Sequence, residues 1–345
     1  MKKVSKRPVI IACSILLILI LIFAILFVSR INWAGRDYTY SPELPNPGVG
    51  IDFKYDDVLA DLYIRWCNAY DNMLTSLWKA PKGVVKKPLR VTMRDGVTIG
   101  GYILEPEDGT GEKLPTMLFC HGGGFFLTMM NSQLDIGAIY ADQLHCRVIL
   151  PQYRTSLDHP YPTPVYDCYD VLRWIADSTD ADLDRIMIYG DSAGGCLAAS
   201  VTQMCCDEKL LQPCCQMLIY PVTDTAQHYS SLTIYENATW TRESNIRMWK
   251  LYLSGYEPSE EDYAVPMLRE NYDGIPKAYI EGAEMDTLYD QAMAYAEKMR
   301  AAGVDVTTET VEGAYHGYDG ATQNPFVQKA LQNRIDWLKA VLSGE

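Results

Sequence analysis

From Leu89 onward, short apolar runs alternate with stretches whose apolar residues recur at helical spacing. Leu89–Met93 and Val97–Leu104, joined by Arg94-Asp95-Gly96, predict a β-hairpin. Thr116–Cys120, Arg147–Pro151, Ile186–Tyr189, Met217–Tyr220, Lys277–Glu281 and Val306–Val311 read as strands. Helices are expected over Leu134–Leu144, Tyr166–Ala176, Cys196–Val201, Tyr289–Ala302 and Phe326–Leu342. Strands and helices in alternation imply an α/β fold with a mostly parallel sheet covered on both faces. Thr223–Tyr263 interrupts the alternation and reads as a helical insertion. Ahead of the first strand, Asp52–Ala80 has helical periodicity, with Val58, Leu62, Trp66, Met73, Leu74 and Leu77 near one or two faces.

The first thirty residues follow another pattern. Lys2, Lys3, Lys6 and Arg7 precede Pro8–Val28, 21 residues without a charge. That length crosses a hydrocarbon core as a helix. The run ends in Leu26-Phe27-Val28-Ser29-Arg30, with no small-residue cleavage site, so residues 1–30 read as a cytoplasmic stub and an uncleaved transmembrane signal anchor. Residues 31–50, with Pro42, Pro45, Pro47, Gly48 and Gly50, read as a spacer, and 51–345 as the folded domain. The basic residues before the span place the N-terminus in the cytoplasm and the domain outside it.

The formal net charge of -14 over 345 residues argues against a nucleic-acid partner. Of the ten cysteines, Cys13 lies in the apolar run and nine follow it, mostly among apolar neighbours and with no C-x-x-C spacing. No H-E-x-x-H spacing or phosphate-binding glycine motif occurs, so neither metal nor cofactor is expected.

The candidate chemistry lies in Gly190-Asp191-Ser192-Ala193-Gly194-Gly195, between an apolar strand and a helix. A serine between glycines on such a turn is a nucleophile elbow. The turn lifts the Ser192 hydroxyl clear of the sheet, and Gly190 and Gly194 stand where a Cβ would crowd the backbone. His121-Gly122-Gly123-Gly124-Phe125 follows the Thr116–Cys120 strand. Its glycines let backbone N–H groups approach a tetrahedral oxyanion, with Gly123 and Gly124 as donors and the Ala193 amide as the third. Among five histidines, His316 lies in a loop after the last strand and is the expected general base. Asp286, after the Lys277–Glu281 strand, is the expected orienting carboxylate, with Glu284 and Asp290 as rivals. The order Ser, Asp, His is that of α/β-hydrolases.

These motifs resemble the hormone-sensitive-lipase-like family of α/β-hydrolases. Tyr153-Arg154 with His159-Pro160-Tyr161-Pro162 resembles a further family motif. The resemblance runs from about Leu114 to Asp319 and implies the α/β-hydrolase fold with a helical cap, here built from 52–80 and 223–263. It also implies Ser192 as nucleophile, Asp286 and His316 as its partners, and Gly123, Gly124 and Ala193 as the oxyanion hole. Two departures stand out. Thr287 follows the acid where the family often has proline, and Thr155-Ser156-Leu157-Asp158 replaces a leucine-alanine-proline-glutamate stretch. The activity implied is a serine carboxylesterase acting on small to medium acyl esters. The alternatives are a deacetylase or amidase on the same triad and a non-catalytic ligand-binding relic, against which the presence of His316 counts.

Overall fold

The computed structural model describes residues 58–108, 113–177, 180–236 and 238–344, together with 14, 17, 18, 21, 25, 31, 32, 38–45, 50, 51 and 53. The expected membrane span falls mostly outside the described residues. Among the described residues, no helix is long and apolar enough to cross a membrane.

The folded part opens with α1 (Val58–Leu77), followed by an antiparallel pair, β1 (Val84–Thr92) and β2 (Thr98–Pro106). Then come β3 (Leu114–Cys120), α2 (Asn131–Gln143), β4 (Arg147–Pro151), α3 (Thr163–Ala176), β5 (Ala181–Asp191) and α4 (Ala193–Glu208). The chain continues through β6 (Cys215–Ile219), α5 (Ser231–Ile234), α6 (Arg242–Leu253), β7 (Ala278–Ala283), α7 (Tyr289–Ala301), β8 (Val306–Val311) and α8 (Pro325–Ser343). The eight strands form one sheet in the order β8-β7-β6-β5-β3-β4-β2-β1. The pairs from β8 through β4 are parallel, and β4–β2 and β2–β1 are antiparallel.

Side-chain alternation along each strand divides the core. Leu118, Ile186 and Ile188 face one apolar cluster, with α3, α4 and α7, while Met117, Phe119, Met187 and Tyr189 face another, with α2 and α8. Because both faces are covered, β3 and β6 are buried along their whole length, which is why they read as unbroken apolar runs.

Three segments differ from expectation. Among the described residues, the helices of the 223–263 insertion are the four-residue α5 and the 12-residue α6. Its remaining Asp side chains bond nearby backbone instead: Asp224 accepts from the Ala226 amide, and Asp262 from those of Ser259 and Ala264. The periodic apolar set on α1 faces outward. Ala60, Tyr63, Ile64 and Thr75 are the buried positions, while Val58, Leu62, Met73 and Leu77 are exposed. Within the expected spacer, residues 38–45 lie against the domain. Leu44 is buried, the Ser41 amide donates to Gly313 O at 2.9 Å, and Tyr40 packs edge-on against Tyr315.

Candidate active site

The elbow follows from crowding. A Cβ on Gly190 would lie 2.1 Å from Gly194 O, one on Gly194 2.0 Å from Cys120 O, and one on Gly195 2.6 Å from the Pro221 Cβ. Strand β5, helix α4 and the end of β3 therefore meet only because these positions carry no side chain. Ser192 takes φ 55° and ψ −124°, a conformation that costs a non-glycine residue about 1–3 kcal/mol. Backbone bonds hold it there. Its N–H donates to Ile219 O at 2.9 Å, and its carbonyl accepts from Gly195 N at 2.9 Å and Val222 N at 3.0 Å.

His316 reaches the serine from the loop after β8. That loop is joined to the one after β7 by Met285 N donating to Ala314 O at 2.9 Å and Glu284 N to Val311 O at 3.1 Å. The pairing brings Asp286 beside His316. Ser192 Oγ lies 2.8 Å from His316 Nε2, and His316 Nδ1 lies 2.6 Å from Asp286 Oδ2. Asp286 is fully buried, and its other oxygen accepts from Leu288 N at 3.1 Å. The rivals are engaged elsewhere: Glu284 accepts from Gly313 N, and Asp290 from Ser231 N. Tyr220 stands edge-on to the His316 ring at 4.9 Å, with Trp240 at 5.9 Å on another side.

The glycine loop curls over β3 with φ 122° at Gly123 and 59° at Gly124. Among the described residues, the amides of Gly123, Gly124 and Ala193 donate to no protein acceptor. Such free N–H groups suit an incoming negative charge. Asp191 fixes the loop to the elbow, accepting from Gly122 N at 3.1 Å and from Gln133 Nε2 at 3.0 Å. His121 is buried behind the loop, stacked on Tyr153 at 4.1 Å, with Nδ1 2.8 Å from its neighbour's carbonyl, Gly122 O.

Burial moves these two groups in opposite directions. It raises the Asp191 carboxyl from 3.8 to about 6, with help from the negative charge of Asp319, and lowers His121 from 6.5 to about 4. The Asp191 contribution to stability is present below pH 3.8 and is lost as pH rises through about 6. That of His121 is present above pH 6.5 and is lost as pH falls through about 4. The two slopes oppose each other across the same window. In Asp191→Asn the histidine slope loses this opposing partner, so the melting temperature should fall more steeply between pH 6.5 and 4 than in the parent. Parallel melting curves across that range would contradict this account.

A buried ionic cluster backs the site. Arg334 on α8 donates to Glu281 through Nε at 2.8 Å and Nη2 at 2.5 Å, and to Asp319 through Nη1 at 2.8 Å. Tyr318 donates to Glu281 at 2.8 Å, and Tyr220 donates to Asp319. Glu281 leads to Asp286 along β7, and Asp319 follows His316, so one guanidinium ties both loops together. In Arg334→Met, Glu281 and Asp319 lose the cation they share and keep only the Tyr318 and Tyr220 hydroxyls, and unfolding in urea should show a loss of about 3–5 kcal/mol. A loss below about 1 kcal/mol would show that the cluster is relaxed or wet.

The sequence motifs thus converge: Ser192, Asp286 and His316 in one hydrogen-bonded line, with Gly123, Gly124 and Ala193 beside them. Both departures have structural roles. The Thr287 hydroxyl lies 3.2 Å from Trp240 O and 3.3 Å from Asp286 Oδ1, and the Ser156 amide donates to Phe125 O at 2.8 Å. Gln133, Tyr220, Trp240 and Arg334 escaped sequence reasoning. Only Arg334 left a signal: it interrupts the apolar face made by Val327, Ala330, Leu331, Ile335 and Leu338.

A family profile described as alpha/beta hydrolase fold matches residues 117–320. The chain belongs to this family. The hydrolase is 32% identical over 239 residues to esterase LipI of Mycobacterium tuberculosis, a match covering 67% of this chain and 74% of the relative. It is 29% identical over 237 residues to an ethyl acetate hydrolase of Pseudomonas putida, covering 67% and 74%. Among solved structures, the esterase LipW of Mycobacterium marinum superposes with a TM-score of 0.78 at 25% identity, over 88% of this chain and 98% of the other. A bacterial heroin esterase gives 0.76 at 27% identity over the same shares. The expected kinship with hormone-sensitive-lipase-like hydrolases stands on these matches.

Proposed function

We infer that this carboxylic ester hydrolase works through an acyl-enzyme on Ser192. The observation that carries the reading is the Ser192–His316–Asp286 line beside three unpartnered amides. Ser192 Oγ attacks the ester carbonyl carbon while its proton passes to His316 Nε2. Asp286 holds the imidazole with its proton on Nδ1 and stabilises the imidazolium. The carbonyl oxygen, now negative, is held by the amides of Gly123, Gly124 and Ala193. Collapse breaks the C–O bond, and Nε2 returns the proton to the departing alcohol. Water, deprotonated by the same nitrogen, then attacks the acyl carbon and frees the acid and Ser192.

Phe53, Phe126 and Trp240 pack together at 5.2 to 6.4 Å between ring centroids, and Trp240 continues to the His316 ring. A Cβ on Gly124 would lie 2.9 Å from both Phe126 and Trp240, so this aromatic wall adjoins the oxyanion amides. It favours small and medium acyl or aryl esters, in keeping with relatives named for ethyl acetate and heroin. Segments 52–80 and 223–263 form the cap in this reading. Arg247 on α6 joins them, donating to Phe53 O at 2.9 Å and to Asp61 at 2.7 Å. Residues 8–28 anchor the enzyme in a membrane, with the N-terminus cytoplasmic and the catalytic domain outside.

A fluorophosphonate probe tests the assignment. After digestion, the adduct is expected on the peptide bearing Ser192. An unlabelled protein would be the signature of a binding relic, and an adduct on another residue would displace Ser192. Matched acetyl esters and acetamides separate esterase from amidase, with ester turnover expected to dominate.

A further inference from the structure

The catalytic fold accounts for α1 on one side only. Its inner side packs on the domain, where Asn68 donates to Phe126 O at 2.9 Å and accepts from Thr128 N at 3.0 Å. Its outer side carries Val58, Leu59, Leu62, Tyr70, Met73 and Leu77, each between 46 and 74% exposed. At 100° per residue these fall within an arc of about 120°. They run the length of a 20-residue helix, about 30 Å. Soluble surfaces scatter large apolar side chains, whereas a contiguous apolar face marks a contact.

Tyr38–Pro45 is fastened to the loop that carries His316, through Ser41 N to Gly313 O and Tyr315 Oη to Pro45 O at 3.0 Å. Val28, the end of the uncharged run, precedes Tyr38 by ten residues, a reach of at most about 35 Å. A run seated in a bilayer therefore holds this part of the domain close to the lipid. The attachment point lies beyond the carboxyl ends of β7 and β8, and α1 packs on the segment beyond the carboxyl end of β3. In a parallel sheet these are one edge, the edge where Ser192 opens. Lys79 and Lys82, exposed just past Leu77, suit lipid phosphates.

We propose that the outer face of α1 lies in the bilayer interface, so that the active site receives esters dissolved in the membrane. This rests on the membrane-anchor reading of residues 8–28. The helix lies on the lipid and does not cross it, as expected for an amphipathic element.

The test uses the full chain reconstituted into vesicles of phosphatidylcholine and phosphatidylglycerol, beside the double variant Leu62→Glu/Met73→Glu. Both positions are exposed, so the fold should survive, and turnover of a water-soluble acetyl ester should stay within about twofold. Hydrolysis of a long-chain ester dissolved in the same vesicles should fall about tenfold or more. Flotation is read in parallel. A parent that fails to float with the vesicles would remove the anchor reading and the docking with it. A parent and variant that both float and hydrolyse the vesicle ester equally would overturn the docking alone. So would a variant that changes only from dimer to monomer in sedimentation, since a second copy would then be the occupant of the face.

Discussion

Ser192→Ala should lower ester turnover by about 10⁵- to 10⁶-fold while leaving the protein folded. Removing the nucleophile of a Ser-His-Asp system costs nearly as much as removing all three residues, because they act as a unit. What remains comes from the amides of Gly123, Gly124 and Ala193 and from substrate binding. Stability should hold within about 1 kcal/mol. The strain at φ 55° falls on any residue with a Cβ, serine and alanine alike, and the bonds holding position 192 are made by its backbone. The check is kcat on p-nitrophenyl acetate beside a thermal melt. Turnover within tenfold of the parent would end the case for Ser192 as nucleophile.

Asp286→Asn should lower kcat by about 10⁴-fold with an intact fold. The reason lies in what surrounds the carboxylate. Leu288 N–H donates to Oδ1 at 3.1 Å, and the Thr287 hydroxyl lies 3.3 Å from the same atom. An asparagine must put its oxygen there, or a buried N–H loses its acceptor. Its NH₂ then occupies the place of Oδ2 and donates to His316 Nδ1. That bond selects the tautomer with the proton on Nε2, where the lone pair that should accept from Ser192 Oγ is missing. The measurement is kcat and KM together. A raised KM with unchanged kcat would mean that Asp286 only shapes the pocket.

Much of this site was legible because its chemistry is local in sequence. Gly190, Gly194 and Gly195 are needed by a turn six residues long, and Gly123 and Gly124 by a loop directly after a strand. Such requirements leave a compact mark. The order of Ser192, Asp286 and His316 could be read because each stands just beyond a strand end, and parallel strands present those ends at one edge. The outward apolar face of α1 was not legible. Periodicity reports that a helix has an apolar side, and says nothing of which neighbour covers it. Within the insertion the regular elements are the helices α5 and α6, and the Asp224 and Asp262 turns lie at its two ends. Gln133, Tyr220 and Trp240 left no mark, since each acts across at least 58 residues of chain.

By itself, the chain order of residues determined the strand and helix alternation, the elbow, the glycine loop and a short set of triad candidates, in which Glu284 and Asp290 still stood beside Asp286. These depend on backbone geometry and on residue types within a few positions of one another. Tertiary structure alone decided how Asp191 couples the glycine loop to the elbow and how Arg334 ties the loops of Asp286 and His316. It also decided which side of α1 is left bare. Those outcomes depend on distances between segments far apart in the chain, and such distances exist only once the sheet has formed and the helices have closed over it.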